Sequence, residues 1–68
     1  MDSDVEQKAA ELARAYRDDV AARTKVGDKR AEYHAQEPKV EALRLLLVAG
    51  LTPKAAVNAF ETILRELP

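Results

Sequence analysis

Residues 41–67 read EALRLLLVAGLTPKAAVNAFETILREL, and they contain most of the large aliphatic side chains of this 68-residue chain. Between Ala42 and Leu51 only Arg44 is charged, so a helix over this segment is apolar around most of its circumference. Such a helix needs neighbours on several sides to remove its side chains from water. The segment therefore predicts a packed helical domain rather than an isolated helix.

The middle of this stretch predicts a break between two helices. Gly50 can take a positive φ and end the first helix. Thr52 can accept a hydrogen bond from the first turn of the next helix, and Pro53 fits at the first helical position, where its missing N–H costs nothing. We therefore predict helices over residues 38–50 and 53–66 that form a C-terminal αα-hairpin.

The first part of the chain predicts one more helix, over residues 4–24. Its apolar residues recur every three or four positions and form one narrow stripe; they are Val5, Ala9, Leu12, Tyr16 and Val20. Ser3 and Glu6 have the spacing of a capping box at its start. The fold class is therefore all-α, a small bundle of about three helices in an up-down arrangement. The predicted core consists of Leu12, Tyr16, Val20, Leu43, Leu47, Val57, Phe60 and Leu64.

A connector joins the first helix to the hairpin. Gly27 and Asp28 favour a turn, and Pro38 disfavours α conformation at Glu37 before it. Residues 29–37 contain good helix formers but few apolar side chains, so two alternatives stay open. This piece is either a loose helical turn that joins the next helix through a kink, or a mobile connector.

Length and composition limit the classes of function. At 68 residues the chain forms one small domain, residues 1–68, in which residues 1–4 and the connector 25–37 are the candidate mobile segments. Eleven basic and twelve acidic side chains give a net charge of −1, so no overall charge attracts nucleic acid or an anionic membrane. The longest apolar run is too short to span a bilayer, and the acidic start is unlike a signal peptide. We therefore expect a cytoplasmic protein without a membrane partner.

No combination of side chains predicts catalysis. Asp18 and Asp19 would point about 100° apart on a helix, among solvated residues. His34 is the one histidine, the chain has no cysteine, and no nucleophile or second histidine has a suitable spacing. We predict that the protein is not an enzyme and that it has no catalytic residues, no metal site and no cofactor.

A small helix-turn-helix DNA-binding regulator is an alternative hypothesis, because the hairpin has a short turn with a glycine. The second helix would then offer Lys54 and Arg65 to DNA, with Glu61 opposing them. These are too few basic groups to neutralise several phosphates. We therefore predict no direct contact with nucleic acid.

The hairpin has more apolar surface than a three-helix protein with a thin first helix can cover. Part of this surface is expected to bind another protein chain, with an apolar centre and a polar rim. The sequence leaves open whether that chain is a second copy, in a homodimeric helical interaction module, or a different protein. The residues predicted to bind a partner are Arg44, Leu45, Leu46, Val48, Leu51, Lys54, Asn58, Glu61 and Ile63.

Several residues of this region carry a resemblance to a known family. They are His34-Ala35-Gln36, Leu43, Leu46, Leu47, Gly50, Pro53-Lys54 and Val57-Asn58. In this order they resemble the C-terminal part of the TraM-type antiactivators, including the shorter QseM-like proteins of rhizobial mobile elements. The resemblance covers about residues 33–58 and needs a one-residue gap before the proline. Pro38 departs from the family pattern, because it interrupts what looks like one long helix in the longer members.

The resemblance implies a function that the residues alone do not name. Members of this family are small all-α proteins that bind LuxR-type quorum-sensing activators and prevent them from binding DNA. The resemblance therefore implies an antiactivator whose partner is a LuxR-type transcriptional activator. Such a protein would restrain quorum-sensing-controlled conjugative transfer of a plasmid or an integrative element.

Overall fold

The computed structural model describes residues 2–68, which form four helices and no strand. The helices are α1 (Ser3–Lys25), α2 (Ala31–His34), α3 (Glu37–Val48) and α4 (Pro53–Glu66). The all-α prediction is confirmed. Met1, which belongs to the segment predicted to be mobile, lies outside the described residues. Within residues 2–68, none of the helices combines the length and the apolar character that crossing a bilayer requires.

Side-chain acceptors start the two longest helices. Asp2 is the N-cap of α1, and its Oδ1 accepts a hydrogen bond from the Asp4 amide at 2.9 Å. The predicted capping box does not form, because Ser3 is already the first helical residue. At α4, Thr52 Oγ1 accepts from the Ala55 amide at 3.2 Å, as the sequence predicts.

Two glycines end α1 and α3 with the same hydrogen-bond pattern. Gly50 has φ +107°, and its amide donates to the Leu47 carbonyl, while the Leu51 amide donates to the Leu46 carbonyl. Gly27 has φ +89° and occupies the equivalent position after α1. These are Schellman motifs, which require the left-handed conformation that glycine adopts without a steric penalty.

The connector forms the single helical turn α2, which corresponds to the first of the two alternatives for residues 29–37. The next helix starts at Glu37, one residue before Pro38, although the proline was predicted to keep Glu37 out of the helix. Pro38 is tolerated there because amides in the first turn of a helix have no intrahelical partner.

Asp28 closes this connector. Its Oδ2 lies 2.7 Å from His34 Nδ1, and its Oδ1 accepts a hydrogen bond from the Arg30 amide at 2.9 Å. The hydrogen bond from His34 and the backbone hydrogen bond from Arg30 lower the pKa of the Asp28 carboxyl. Asp28 thereby holds the turn before α2 against His34, the last residue of that helix.

Because the pKa of Asp28 is lower in the folded protein, its carboxylate stabilises the fold at pH values above the unfolded pKa of about 3.9. That stabilisation is lost as the pH falls through the folded pKa. We expect the melting temperature of the wild type to exceed that of Asp28→Asn at pH 6, and the difference to shrink on acidification. In a His34→Ala background the same comparison should give a smaller difference. A difference that stays constant from pH 6 to below the folded pKa would contradict this account.

The helices run up, down and up. Lys39, near the start of α3, lies over the Tyr16 ring of α1, whereas Val48 at the end of α3 shares a groove with Lys8. The third and first helices are therefore antiparallel. In the C-terminal half of α1, Arg17 Nη1 donates a hydrogen bond to the carbonyl of Pro68 at 2.8 Å, just after α4 ends. This contact places the end of α4 beside the later part of α1, so these two helices run in the same direction.

The centre of the core is a row of four alanines, which we call the seam, with two large, fully buried side chains beside it. Its alanines are Ala9 and Ala13 on α1, Ala42 on α3 and Ala56 on α4. Leu46 and Phe60 are fully buried beside them, and the Tyr16 ring packs edge-on against Phe60 at 5.8 Å between centroids. Small side chains allow helix backbones to approach closely, and none of these four alanines was among the residues predicted to form the core.

The predicted core is correct at Tyr16 and Phe60 but wrong at two positions. Leu47 is 42% exposed and Val57 is 44% exposed. On α3 the buried line passes through Ala42 and Leu46, which leaves Leu47 about 100° away from the seam. The remaining members of the predicted core are partly buried around it; they are Leu12, Val20, Leu43 and Leu64.

Candidate functional site

The residues predicted to bind a partner are distributed over several surfaces. Leu46 is fully buried, so the structure corrects the prediction at this residue: its side chain fills the core and is not available to a partner. Leu51 and Ile63 are partly buried and pack against the same core. The other members reach the surface; they are Arg44, Leu45, Val48, Lys54, Asn58 and Glu61.

Arg44, Leu45 and Val48 lie together in a groove between α1 and α3, which we call the α1–α3 groove. Leu45 and Val48 of α3 and Leu12 of α1 form its apolar centre. The charged side chains around them are Lys8, Glu41 and Arg44. The groove has a volume of about 230 Å³, and Val48, one of the residues that line it, is 87% exposed. An apolar centre inside a charged rim is the usual arrangement of a protein-binding patch.

The other predicted residues do not extend this groove. Asn58 and Ile63 line a shallow depression beside Glu6, along the opposite border of α1. Glu61 lines a third groove, and its Oε1 lies 4.0 Å from Lys39 Nζ. Lys54 is exposed near the start of α4. The predicted partner-binding residues therefore do not form a single continuous surface over the C-terminal hairpin.

Exposed apolar side chains also occur outside the predicted set. Val40 and Leu47 follow one line along α3, and Val57 lies on α4; all three are exposed by more than a third. Val26 is 83% exposed at the end of α1, far along the chain from the hairpin. Single exposed valines are common on protein surfaces. Val40 lines a separate groove whose other lining residues are all polar or charged, and exposure alone does not make the other three a site.

A larger groove of about 420 Å³ surrounds Tyr16, and we call it the Tyr16 groove. It is bordered by charged residues from all four helices, namely Arg17, Glu32, Lys39 and Glu61. Its apolar floor is made by Val20, Ala21 and Leu64. Burial raises the pKa of the Tyr16 hydroxyl above its ordinary value, and the carboxylates of Glu32 and Glu61 raise it further. The hydroxyl is therefore neutral at physiological pH.

Residues 2–68 bring together no group of three histidine, cysteine or acidic side chains that could hold a metal ion. Comparison of the chain with protein families, with curated proteins and with solved structures found no significant match.

Sequence reasoning missed the contribution of α1 to both grooves. Leu12 was predicted to be core, and Lys8 was not singled out, yet together they supply one wall of the α1–α3 groove. Their spacing of four along α1 is the signal that could have paired them on one face. The Tyr16 groove had no such signal, because its members come from four separate helices.

Proposed function

We propose that this protein is an antiactivator that binds a LuxR-type transcriptional activator and prevents it from binding DNA. The proposal combines the resemblance over residues 33–58 with one observation of the fold, the α1–α3 groove. By this binding the protein would restrain quorum-sensing-controlled conjugative transfer. It would act in the cytoplasm, where such activators meet DNA.

The α1–α3 groove supports binding to another protein because it combines exposed apolar area with a charged frame. Val48 and Leu45 supply the apolar contacts that a partner side chain would cover. Glu41 and Arg44 carry opposite charges at the edge, where they would fix the orientation of the partner more than the affinity.

The balance of charge supports inhibition through protein contact rather than through competition for DNA. Eleven basic and twelve acidic side chains leave no general attraction to phosphates. On α4 the exposed Lys54 and Arg65 are accompanied by Glu61 and Glu66. An inhibitor of this composition would bind the activator itself and leave the operator free.

Val48→Asp tests the proposal without disturbing the core. Because Val48 is 87% exposed, its replacement should change the melting temperature little. A carboxylate in the apolar centre would be desolvated in the complex, so we expect affinity for the activator to fall by at least tenfold, about 1.4 kcal/mol. The measurement is calorimetric titration of the activator, with its acyl-homoserine lactone bound, against each variant.

Val26→Asp is the matched control, since Val26 is equally exposed but lies outside the α1–α3 groove. It should bind the activator like the wild type.

A gel shift with the operator should show that the wild-type protein releases the activator from the duplex and does not shift the duplex by itself. Equal affinities for Val48→Asp and wild type would refute this docking surface. A fall in oligomer mass of Val48→Asp, without an effect on the activator, would support a homodimeric module instead.

A further inference from the structure

The Tyr16 groove contains an unusual polar group. Tyr16 is only 7% exposed, but its hydroxyl forms no hydrogen bond with any of residues 2–68. The oxygen is not sealed from solvent either, and the residue lines the groove. The ring is held edge-on against Phe60, so the hydroxyl is fixed in position. The hydroxyl faces solvent without an internal partner, so a donor bound in the groove can replace water there.

The cations of the groove are already engaged. Arg17 Nε lies 3.2 Å from Asp18 Oδ1, and Arg17 Nη1 donates to the Pro68 carbonyl at 2.8 Å. Lys39 Nζ lies 5.6 Å from the centroid of the Tyr16 ring and 5.8 Å from that of the Phe60 ring, within the range of a cation–π contact. Both basic side chains therefore have partners within the protein.

The carboxylates are engaged less completely. Glu61 Oε1 reaches Lys39 Nζ only at 4.0 Å, the outer limit of an ion pair. Glu32 forms no salt bridge with any group in residues 2–68. The groove therefore offers three acceptors without an internal ion-pair partner: the Glu32 carboxylate, the second carboxylate oxygen of Glu61 and the Tyr16 hydroxyl oxygen. An apolar floor of Val20 and Leu64 lies beside them.

We propose that the Tyr16 groove binds the guanidinium group of an arginine side chain presented by a partner protein. A guanidinium has several N–H donors in one plane, so it can serve both carboxylates and the Tyr16 hydroxyl together. The aliphatic stem of an arginine would cover Val20 and Leu64. A lysine ammonium is more strongly hydrated and has no planar fork, so it fits this divided acceptor set less well.

This subsite is independent of the function proposed above. It shares no lining residue with the α1–α3 groove, so a failure at one leaves the other intact. Its occupant is a protein side chain rather than a free metabolite, because the groove provides no third cation for the α-carboxylate of free arginine.

The test is a titration of the intact protein with the blocked tripeptide acetyl-Ala-Arg-Ala-amide, followed by NMR shifts of the Tyr16 ring and the Leu64 methyl groups. The matched probe replaces arginine with citrulline, its neutral isostere. We expect saturable shifts with the arginine peptide and at least fivefold weaker binding of the citrulline peptide, because the charge-assisted bonds are lost. Equal binding of the two peptides would overturn the proposal.

Variants locate the site. Glu32→Gln and Glu61→Gln should each weaken the arginine peptide by about threefold to fivefold, and Tyr16→Phe by about threefold. Glu66→Gln, a carboxylate outside the groove, should have no effect. Lys39→Gln should tighten binding, because it removes the cation that competes for Glu61; its melting temperature reports whether the fold is kept. Unchanged affinity for Glu32→Gln, or tighter binding of free arginine than of the peptide, would contradict the assignment.

Discussion

Phe60→Ala is expected to remove most of the stability of the fold at 25 °C. Phe60 is fully buried, and its ring packs against Tyr16 between α1 and α4. Removing a buried phenylalanine side chain costs about 3–5 kcal/mol. A domain of this size has a total stability of about 3–5 kcal/mol, so the loss is comparable with the whole free energy of unfolding.

The neighbouring contacts make collapse of this cavity difficult. The alanines of the seam cannot extend into the space left by the ring, because they have no further atoms to move. Urea unfolding followed by far-UV circular dichroism measures the effect. Val57→Ala, on the same helix but 44% exposed, is the control and should cost less than about 1 kcal/mol. If both variants unfold at the same urea concentration, Phe60 is not the centre of the core.

The second large effect is a difference in stability between alanine substitutions at two adjacent leucines on α3. Leu46 is fully buried and Leu47 is 42% exposed, although both are leucines in the same helix. We expect Leu46→Ala to lower the free energy of unfolding by about 2–5 kcal/mol, through lost burial and a residual cavity. Leu47→Ala should cost well under half of that, since its side chain keeps much of its contact with water in the folded state.

This pair of variants controls for helix propensity, because both exchange leucine for alanine inside α3. Denaturant unfolding at equal protein concentrations compares them. Equal losses for the two variants would show that another chain covers Leu47 in solution, and dilution should then lower the stability of the wild type as well. A larger loss for Leu47→Ala would mean that α3 is rotated relative to the seam described above.

The sequence was sufficient for the parts of the fold that depend on local chemistry. Gly50, Thr52 and Pro53 lie next to one another in the chain, and each has a conformational preference that acts without tertiary contacts. The boundary between α3 and α4 could therefore be predicted to within two residues. The stripe on α1 was equally accessible, since a period of three and four needs no knowledge of the partner helix.

The rotation of α3 was not accessible in the same way. A run from Leu45 to Val48 is apolar in every direction, so hydrophobicity cannot tell which leucine faces the seam. Ala42 is fully buried on the same face as Leu46, and a small side chain at that position allows the helices to pack closely. Alanine has little weight in a hydrophobicity argument, but it has a large effect on the distance between helices. The exchange of Leu46 and Leu47 in the predicted core has this cause.

The candidate grooves show a further limit. Leu12 and Val48 meet only because α3 folds back antiparallel along α1, and Tyr16 meets Glu32 and Glu61 only after all four helices have packed. Sequence spacing gives the face of a single helix, and it says little about which two faces meet. Residues 45 and 48 were therefore predicted as partner-binding residues without the α1 wall that makes them a groove.

The thinness of the seam has a consequence for turnover in the cell. Only seven buried residues form the central cluster, and four of them are alanines, so a measurable fraction of molecules will be open at any moment and exposed to proteases. A ligand that binds only the native form, at a hundred times its dissociation constant, lowers that fraction about a hundredfold. The half-life of this protein should then report whether its partner is present, with unbound copies degraded first.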